Sequence, residues 1–363
     1  PYPSSRKNGP MSSQVKVDRK FTIEDIVNDV KSRGDAAVVE WTNLFDGTNY
    51  EKPQRAEAYG DIPTAAILAA AENVRTWHAA QRPQDIMMEV TPGVTLERRW
   101  TPLRSVGLYV PKNLVSSLIM TGIPAQVAGV ERIVVCTPPS GAAAVAAAAA
   151  LLGIDEVWAI GGAQAIAAMA YGTESMAPVD KIFGPGNAAV NTAKLIVSRD
   201  VAIDLPAGPS EIVVVADDGV DETLVEQEMA AQMEHGPDSR GFIVRVGNDL
   251  EAALLEVEKY AAEHVFLLGE KAESLAPRIR NAGSVFVGKY SPVPAGDYAT
   301  GGNHVLPTGG WSKSTGGLGL ESFMKTVTVQ RVTKEGLEKL APTIEALAEL
   351  EGLPSHKATA RRD

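Results

Sequence analysis

The chain has 363 residues, 45% of them hydrophobic and 22% charged, with a net charge of −11 and a pI of about 5.1. That length allows roughly two to three domains with sizeable cores. The acidity argues against nucleic acid or an anionic membrane as main partner, but not against a small anionic ligand held by backbone N–H groups.

The opening PYPSSRKNGP has no apolar stretch of the kind a secretory signal needs. The single cysteine, Cys136, rules out an internal disulfide and reads as a small core residue of a buried strand, RIVVCTP. A reducing, cytoplasmic setting is expected from such sparse cysteine usage. From about Phe21 to Gln81, apolar residues recur at three- and four-residue spacing and predict helices, with His78 late in one of them as a hydrogen-bonded structural residue. From Ser105 the texture changes to short apolar runs ended by Gly or Pro: SVGLYV, RIVVCTP, EVWAIGG, KIFGPGN and AIDLP. A second series follows in EIVVVAD, GFIVRV, HVFLLG and SVFVG. Helical stretches such as 141–152 and 163–171 lie between most of these runs, which predicts parallel sheets covered by helices on both faces. The chain closes with a strand, KTVTVQRVT, and an amphipathic helix over 334–350.

Only five histidines occur, and four of them lie in polar, turn-rich sequence after residue 230: His235, His264, His304 and His356. Imidazole both binds first-row metals and moves protons near neutral pH, so this distribution points to a polar site. Gln232 and His235 stand three residues apart at the end of a predicted helix, ETLVEQEMAAQMEH, where they share a face; an ion site and a solvated helix end both explain them. Asp297 and His304 share a glycine-rich loop that can aim both side chains into a cleft, or simply cover the surface. Glu263 and His264 are neighbours, which reads either as a base with a water-activating carboxylate or as a polar pair on an edge strand. They can serve one site only if the strand has not yet begun at Glu263, because adjacent strand residues face opposite ways. Gly184–Ala189 fits G-x-G-x-x-A between strand and helix, a setting for dinucleotide phosphate or an ordinary turn.

Together, the strings SVGLYVP, IGGAQAIAAMAYGTESM, VDKIFGPGNA, IDLPAGPSEIVVVAD, AEHVFLL, NAGSVFVG, GDYATGGNHVLPT and EGLPSHKA resemble the histidinol dehydrogenase family. The resemblance implies an α/β, aldehyde-dehydrogenase-like fold: two incomplete Rossmann-like domains with a helical N-terminal region and a small C-terminal segment. It implies domains over 15–108 with 208–318, and over 109–207, with 319–363 exchanged in a homodimer. It further implies zinc on Gln232, His235, Asp297 and His356, and catalysis by Glu263 and His264. Substrate contacts fall on Ser116, Ser210, His304 and Glu351, and NAD contacts on Tyr109, Gln164 and Asn187. Glu351 and His356 would act in the partner's site.

The implied reaction oxidises L-histidinol to L-histidine in two steps through the bound aldehyde. Three departures from the family's pattern stand out: a shortened loop over 111–116, a missing segment bridged by Gly247-Asn248-Asp249, and Val293 where a Glu is common. They leave open a dehydrogenase of the same superfamily acting on another polar alcohol. A zinc hydrolase would not need the GPGNA and GGAQ segments. A non-catalytic scaffold would not be expected to keep Glu263, His264 and the ligand set together.

Overall fold

The computed structural model describes residues 21–205 and 208–362. Its strands in chain order are β1 Ile86–Thr91, β2 Val94–Pro102, β3 Ser105–Tyr109, β4 Arg132–Thr137, β5 Glu156–Ala159, β6 Lys181–Phe183, β7 Ala202–Ile203, β8 Glu211–Asp217, β9 Arg240–Val246, β10 His264–Leu268, β11 Ser284–Val287 and β12 Met324–Val332. They form a parallel five-stranded sheet in the order β5-β4-β3-β6-β7 and a parallel four-stranded sheet in the order β11-β10-β8-β9. An antiparallel sheet, β1-β2-β12, completes the fold.

Both parallel sheets are covered on both faces, which is why their strands read as continuous apolar runs and not as alternating ones. One face of the five-stranded sheet packs Val106, Leu108 and Val135 against helices 64–79, 115–128 and 142–151. The other packs Val134, Cys136 and Trp158 against helices 23–33, 35–46, 162–171 and 188–197. In the four-stranded sheet, Val213, Val215, Val265 and Leu267 face helix 250–260, whereas Ile212, Val214 and Phe266 face helix 222–233. The helices of residues 23–79, grouped in the sequence reading with 208–318, pack on the five-stranded sheet. Residue 15 lies outside the described residues.

Local signals place the first helix well. Thr22 Oγ1 accepts from Asp25 N (3.1 Å) while Asp25 Oδ2 accepts from Thr22 N (2.8 Å), a reciprocal capping box. The hairpin β1–β2 has no counterpart in the sequence reading. It is held by β12, which pairs with β2 from Met324↔Pro102 to Val332↔Val94. A partner more than 220 residues away leaves no local trace. Among the described residues, no helix is long and apolar enough to cross a membrane.

In the five-stranded sheet the chain leaves β3 for β4 and β5, then returns to β6 on β3's other side. Open parallel sheets bind ligands at such a reversal, outside the carboxyl ends of the strands. There the loop after β6 is locked by a buried ion pair between Lys194 and Asp204, each almost fully inaccessible. Lys194 Nζ donates to Gly184 O (2.9 Å), and Asp204 Oδ2 accepts from Gly184 N (2.7 Å). Replacing one member of a buried pair strands the other charge, at a cost of about 3–5 kcal/mol. Lys194→Met should therefore lower unfolding free energy by about that much in urea titration, and Lys194→Met with Asp204→Leu should recover a large part. A single substitution costing less than about 1 kcal/mol would contradict the lock.

Candidate active site

The polar cluster forms at the amino ends of β8 and β10, the edge opposite the one where an open parallel sheet usually holds its ligand. Strand β10 begins at His264, so Glu263 stands outside the pleat and escapes the alternation that would send the two side chains to opposite faces. Glu263 Oε2 and His264 Nδ1 lie 4.0 Å apart. The pairing of β8 with β10 brings Ser210 and Glu211 alongside. Ser210 Oγ donates to Glu263 Oε2, and Glu211 N donates to the same oxygen at 3.0 Å. Gln232 Nε2 in turn donates to Ser210 Oγ (2.7 Å).

Helix 222–233 supplies Gln232 in its last turn, with His235 just beyond its end. The predicted helix ran to His235. It stops at Met233 because Gly236, at φ 146°, leads into Pro237, and a residue before proline is pushed out of helical geometry. The short helix Val293–Tyr298 brings in Asp297, whose Oδ1 lies 3.9 Å from His264 Nε2.

The imidazoles share one arrangement. Oxygen acceptors face each Nδ1: Gln232 O for His235 (3.3 Å), Gln232 Oε1 for His264 (3.3 Å) and Asp297 O for His304 (3.0 Å). A carbonyl oxygen only accepts, so each Nδ1 carries a proton; burial keeps His264 and His304 neutral, so their Nε2 atoms keep the lone pair. His264 Nε2 is buried and makes no hydrogen bond.

Burial sets the protonation states. It pushes the Glu263 carboxyl up to about 7, against the Ser210 and Glu211 donors and with help from the negative charges of Asp297 and Glu211. It drives His264 down to about 3, reinforced by His235 and His304, and His304 down to about 4. Asp297 rises to about 6 for the same reason, with His235 opposing. No lysine or arginine takes part in any of these four shifts. A desolvated pocket of carboxyls and the neutral imidazoles of His264 and His304, in which Arg240 pairs only with Glu211 (3.8 Å), suits a divalent metal, which favours ionised carboxylates and lone-pair nitrogens. The donors are oxygen and nitrogen, the chemistry of a zinc site open to substrate. Among the described residues, no three His, Cys, Asp or Glu side chains already stand at coordinating spacing.

The structure thus gathers Ser210, Gln232, His235, Glu263, His264, Asp297 and His304. It does not bring Glu351 and His356 to them: both are exposed, on the C-terminal hairpin of helices 334–350 and 354–358. Ser116 lies apart from the hydrogen-bonded cluster, in the first turn of helix 115–128. The shortened loop before it is a tight turn with Asn113 at φ 62° and Leu114 N donating to Pro111 O (3.1 Å).

Tyr109, Gln164 and Asn187 belong to the sheet-reversal region. Tyr109 Oη accepts from Gly162 N (3.1 Å), and Gln164 is fully buried with both amide atoms free of hydrogen bonds. Asn187 caps helix 188–197, its side chain accepting from Val190 N (3.1 Å). One buried group escaped the sequence reading. Glu228 lies one helical turn before Gln232, and its carboxylate accepts from Val293 N (3.0 Å), at the start of the helix that carries Asp297. A glutamate at i−4 from Gln232 in a helix with little amphipathic pattern gave no local cue.

These elements stand on an aldehyde-dehydrogenase-like architecture. A probable aldehyde dehydrogenase from Listeria monocytogenes shares the fold at a TM-score of 0.50 with 12% identity, covering 86% of this chain and 91% of that one. The crystal structure of histidinol dehydrogenase from Elizabethkingia anophelis matches far more closely, with a TM-score of 0.86 and 35% identity over 96% of this chain and 93% of that one. In sequence, histidinol dehydrogenase from Aliivibrio fischeri is 41% identical over 385 residues, covering 92% of this chain and 88% of the relative. That from Methanosarcina mazei is 40% identical, covering 94% and 90%. The family model for histidinol dehydrogenase matches residues 10–252 and 241–362. The chain belongs to the histidinol dehydrogenase family.

The two matched stretches overlap over 241–252, from β9 into helix 250–260, with Gly247-Asn248-Asp249 joining the two elements directly. The 385 aligned positions exceed the 363 residues of this chain, so the Aliivibrio relative carries residues absent here.

Ser210 links Gln232 to Glu263, so Ser210→Ala leaves a buried amide donor and a carboxylate oxygen each short of a partner. The expected loss is about 1–3 kcal/mol in chemical denaturation. A loss below about 0.5 kcal/mol would show that this link carries little.

Proposed function

We propose that this chain oxidises L-histidinol to L-histidine in two NAD-linked steps through bound L-histidinaldehyde, with zinc in the site. The observation that carries this reading is the cluster at the amino ends of β8 and β10. There an unpartnered His264 Nε2 and a buried Glu263 stand beside Gln232, His235 and Asp297. Zinc would be held by Gln232, His235 and Asp297, with His356 of the partner subunit as fourth ligand. When bound, zinc polarises and orients the substrate oxygen, and NAD is the two-electron acceptor in each oxidation.

The chain's own residues do the rest. His304 and Ser210, with Ser116 and Glu351 of the partner subunit, hold the amino alcohol. His264, kept neutral by burial, takes the hydroxyl proton at Nε2 in the first oxidation. Glu263 takes a proton from the water that adds to the aldehyde carbon, and the hydrated aldehyde is oxidised in the second step. Its carboxyl is held by Ser210 and the Glu211 N–H, so it faces the water in one orientation. Tyr109, Gln164 and Asn187 lie where NAD would lie at the sheet reversal.

A second reading keeps the chemistry and changes the substrate to another polar amino or hydroxy alcohol. Val293 favours it, since an apolar side chain is buried one turn before Asp297.

Exposed apolar surface supports a partner chain. Ile86, Met87, Met88 and Val90 of the edge strand β1 are about half exposed or more, and Leu347 and Leu350 of the C-terminal hairpin are 54% and 82% exposed. Exposed apolar side chains clustered on an edge strand and on a helix suit burial against a second chain. Glu351 and His356 would then complete the partner's site.

Coupled turnover tests the reaction. Histidinol should yield two NADH per histidine, and His264→Asn should slow the first reduction by about two to four orders of magnitude. Faster reduction of a different amino alcohol would favour the second reading, and no NADH from any alcohol would overturn both. Exchange of the tail is tested by mixing His356→Ala with Glu263→Gln subunits. Mixed dimers should regain activity that neither parent shows, and mixed dimers as inactive as the parents would place each complete site within one chain.

A further inference from the structure

The fifth histidine is absorbed by none of this chemistry. His78 is fully buried near the end of helix 64–79. Its Nδ1–H donates to Val74 O (2.8 Å), and the ring also meets the Leu318 backbone, with Asn303 Nδ2 3.4 Å from Nε2. The same Asn303 amide donates to Met120 O (2.6 Å) in helix 115–128, and Asn303 Oδ1 accepts from Val305 N (3.0 Å). Asn303 is thus used at both ends, and it immediately precedes His304.

Two other polar side chains of the same helix region grip the same loop. Asn73 Nδ2 donates to Ala299 O (2.7 Å), two residues after Asp297, and Gln81 Oε1 accepts from Leu320 N (2.9 Å). Between them Gly301 sits at φ 93°, where a Cβ would lie 2.5 Å from Asn73 O. The loop backbone therefore rests directly on the helix backbone, and only glycine permits that approach.

Helix 64–79 does not belong to the four-stranded sheet that carries Glu263 and His264. Its Ile67, Ala71 and Val74 pack in the core of the five-stranded sheet, with Val305, Leu318 and Leu320 of the loop. The loop is anchored on one unit while its Asp297 and His304 face the other.

We propose that Asn73 and His78, gripping Ala299, Gly301 and Asn303, with Gln81 holding the far end of the segment at Leu320, form a clasp that positions the 297–304 loop. The clasp sets Asp297 and His304 against the β8–β10 cluster. It also couples that cluster to the sheet whose reversal faces the cofactor. These are positioning residues, because none of them touches the reacting groups. The inference rests on the reading that Asp297 and His304 serve metal and substrate.

Loss of an outer-shell support commonly weakens metal affinity 10- to 100-fold. Asn303→Ala and His78→Leu should each weaken zinc binding by about tenfold in chelator competition on the full-length protein. They should also lower kcat and leave the KM for NAD within about twofold. His78→Gln, which restores an acceptor toward Asn303, should recover most of both. Should His78→Leu fail to fold, Asn73→Ala combined with Gln81→Ala removes two tethers from exposed or half-exposed positions and is expected to show the same loss. Ile67→Ala serves as control, since it lies in the same helix six residues before Asn73, is buried in the same core and makes no bond to the clasp, and its zinc affinity should equal that of the unsubstituted protein. Clasp variants with unchanged zinc affinity and kcat would overturn the inference, as would an Ile67→Ala loss equal to theirs. Unsubstituted protein that takes up no zinc would overturn the metal reading beneath it.

Discussion

Adjacent parallel strands β8 and β10, registered so that His264 lies opposite Ile212, fix where every other group in the site must stand. The register places Ser210 and Glu211 beside Glu263, and the late start of β10 lets Glu263 and His264 share one side. Both strands are buried on both faces by Val and Leu side chains, so water is excluded from their ends as well as their middles. Desolvation then does the chemical work. It keeps the His264 imidazole neutral and raises the Glu263 carboxyl to about 7, where it can both take and give a proton. The same burial suits a divalent cation, which would let the Glu263 and Asp297 carboxyls ionise without water.

Much of this was legible in the sequence, for identifiable reasons. The parallel strands announced themselves as apolar runs ended by Gly or Pro, because both of their faces are buried. The His235-Gly236-Pro237 stop and the glycine-rich loop around His304 marked site segments through their turn chemistry. What stayed hidden was non-local. The β1–β2 hairpin depends on β12, and Glu228 meets Val293 across 65 residues. His78 read correctly as a hydrogen-bonded residue, but its partner Asn303 is 225 residues away and could not be named from spacing. The question of whether Glu263 and His264 face one site turned on a single residue of strand start, finer than any periodicity resolves.

The departures from the family's pattern fall at the margins of this arrangement. The four-stranded sheet ends on β9, with Ile243 45% exposed, and the chain turns directly into helix 250–260. The shortened 111–116 loop becomes a tight turn that requires Asn113 in the left-handed region, which asparagine tolerates better than most residues. At Val293 the backbone N–H finds the Glu228 carboxylate, so a buried acid still stands behind Asp297 although position 293 itself is apolar. None of these changes touches the β8–β10 register.

The account's central claim is that one chain presents an incomplete shell of nitrogen and oxygen donors that a neighbouring chain closes. Zinc-edge X-ray absorption on the loaded protein tests it most directly. The account predicts a shell of two imidazoles with oxygen donors and no sulfur, falling to one imidazole in His356→Ala. A sulfur ligand, or a shell unchanged by that substitution, would contradict it.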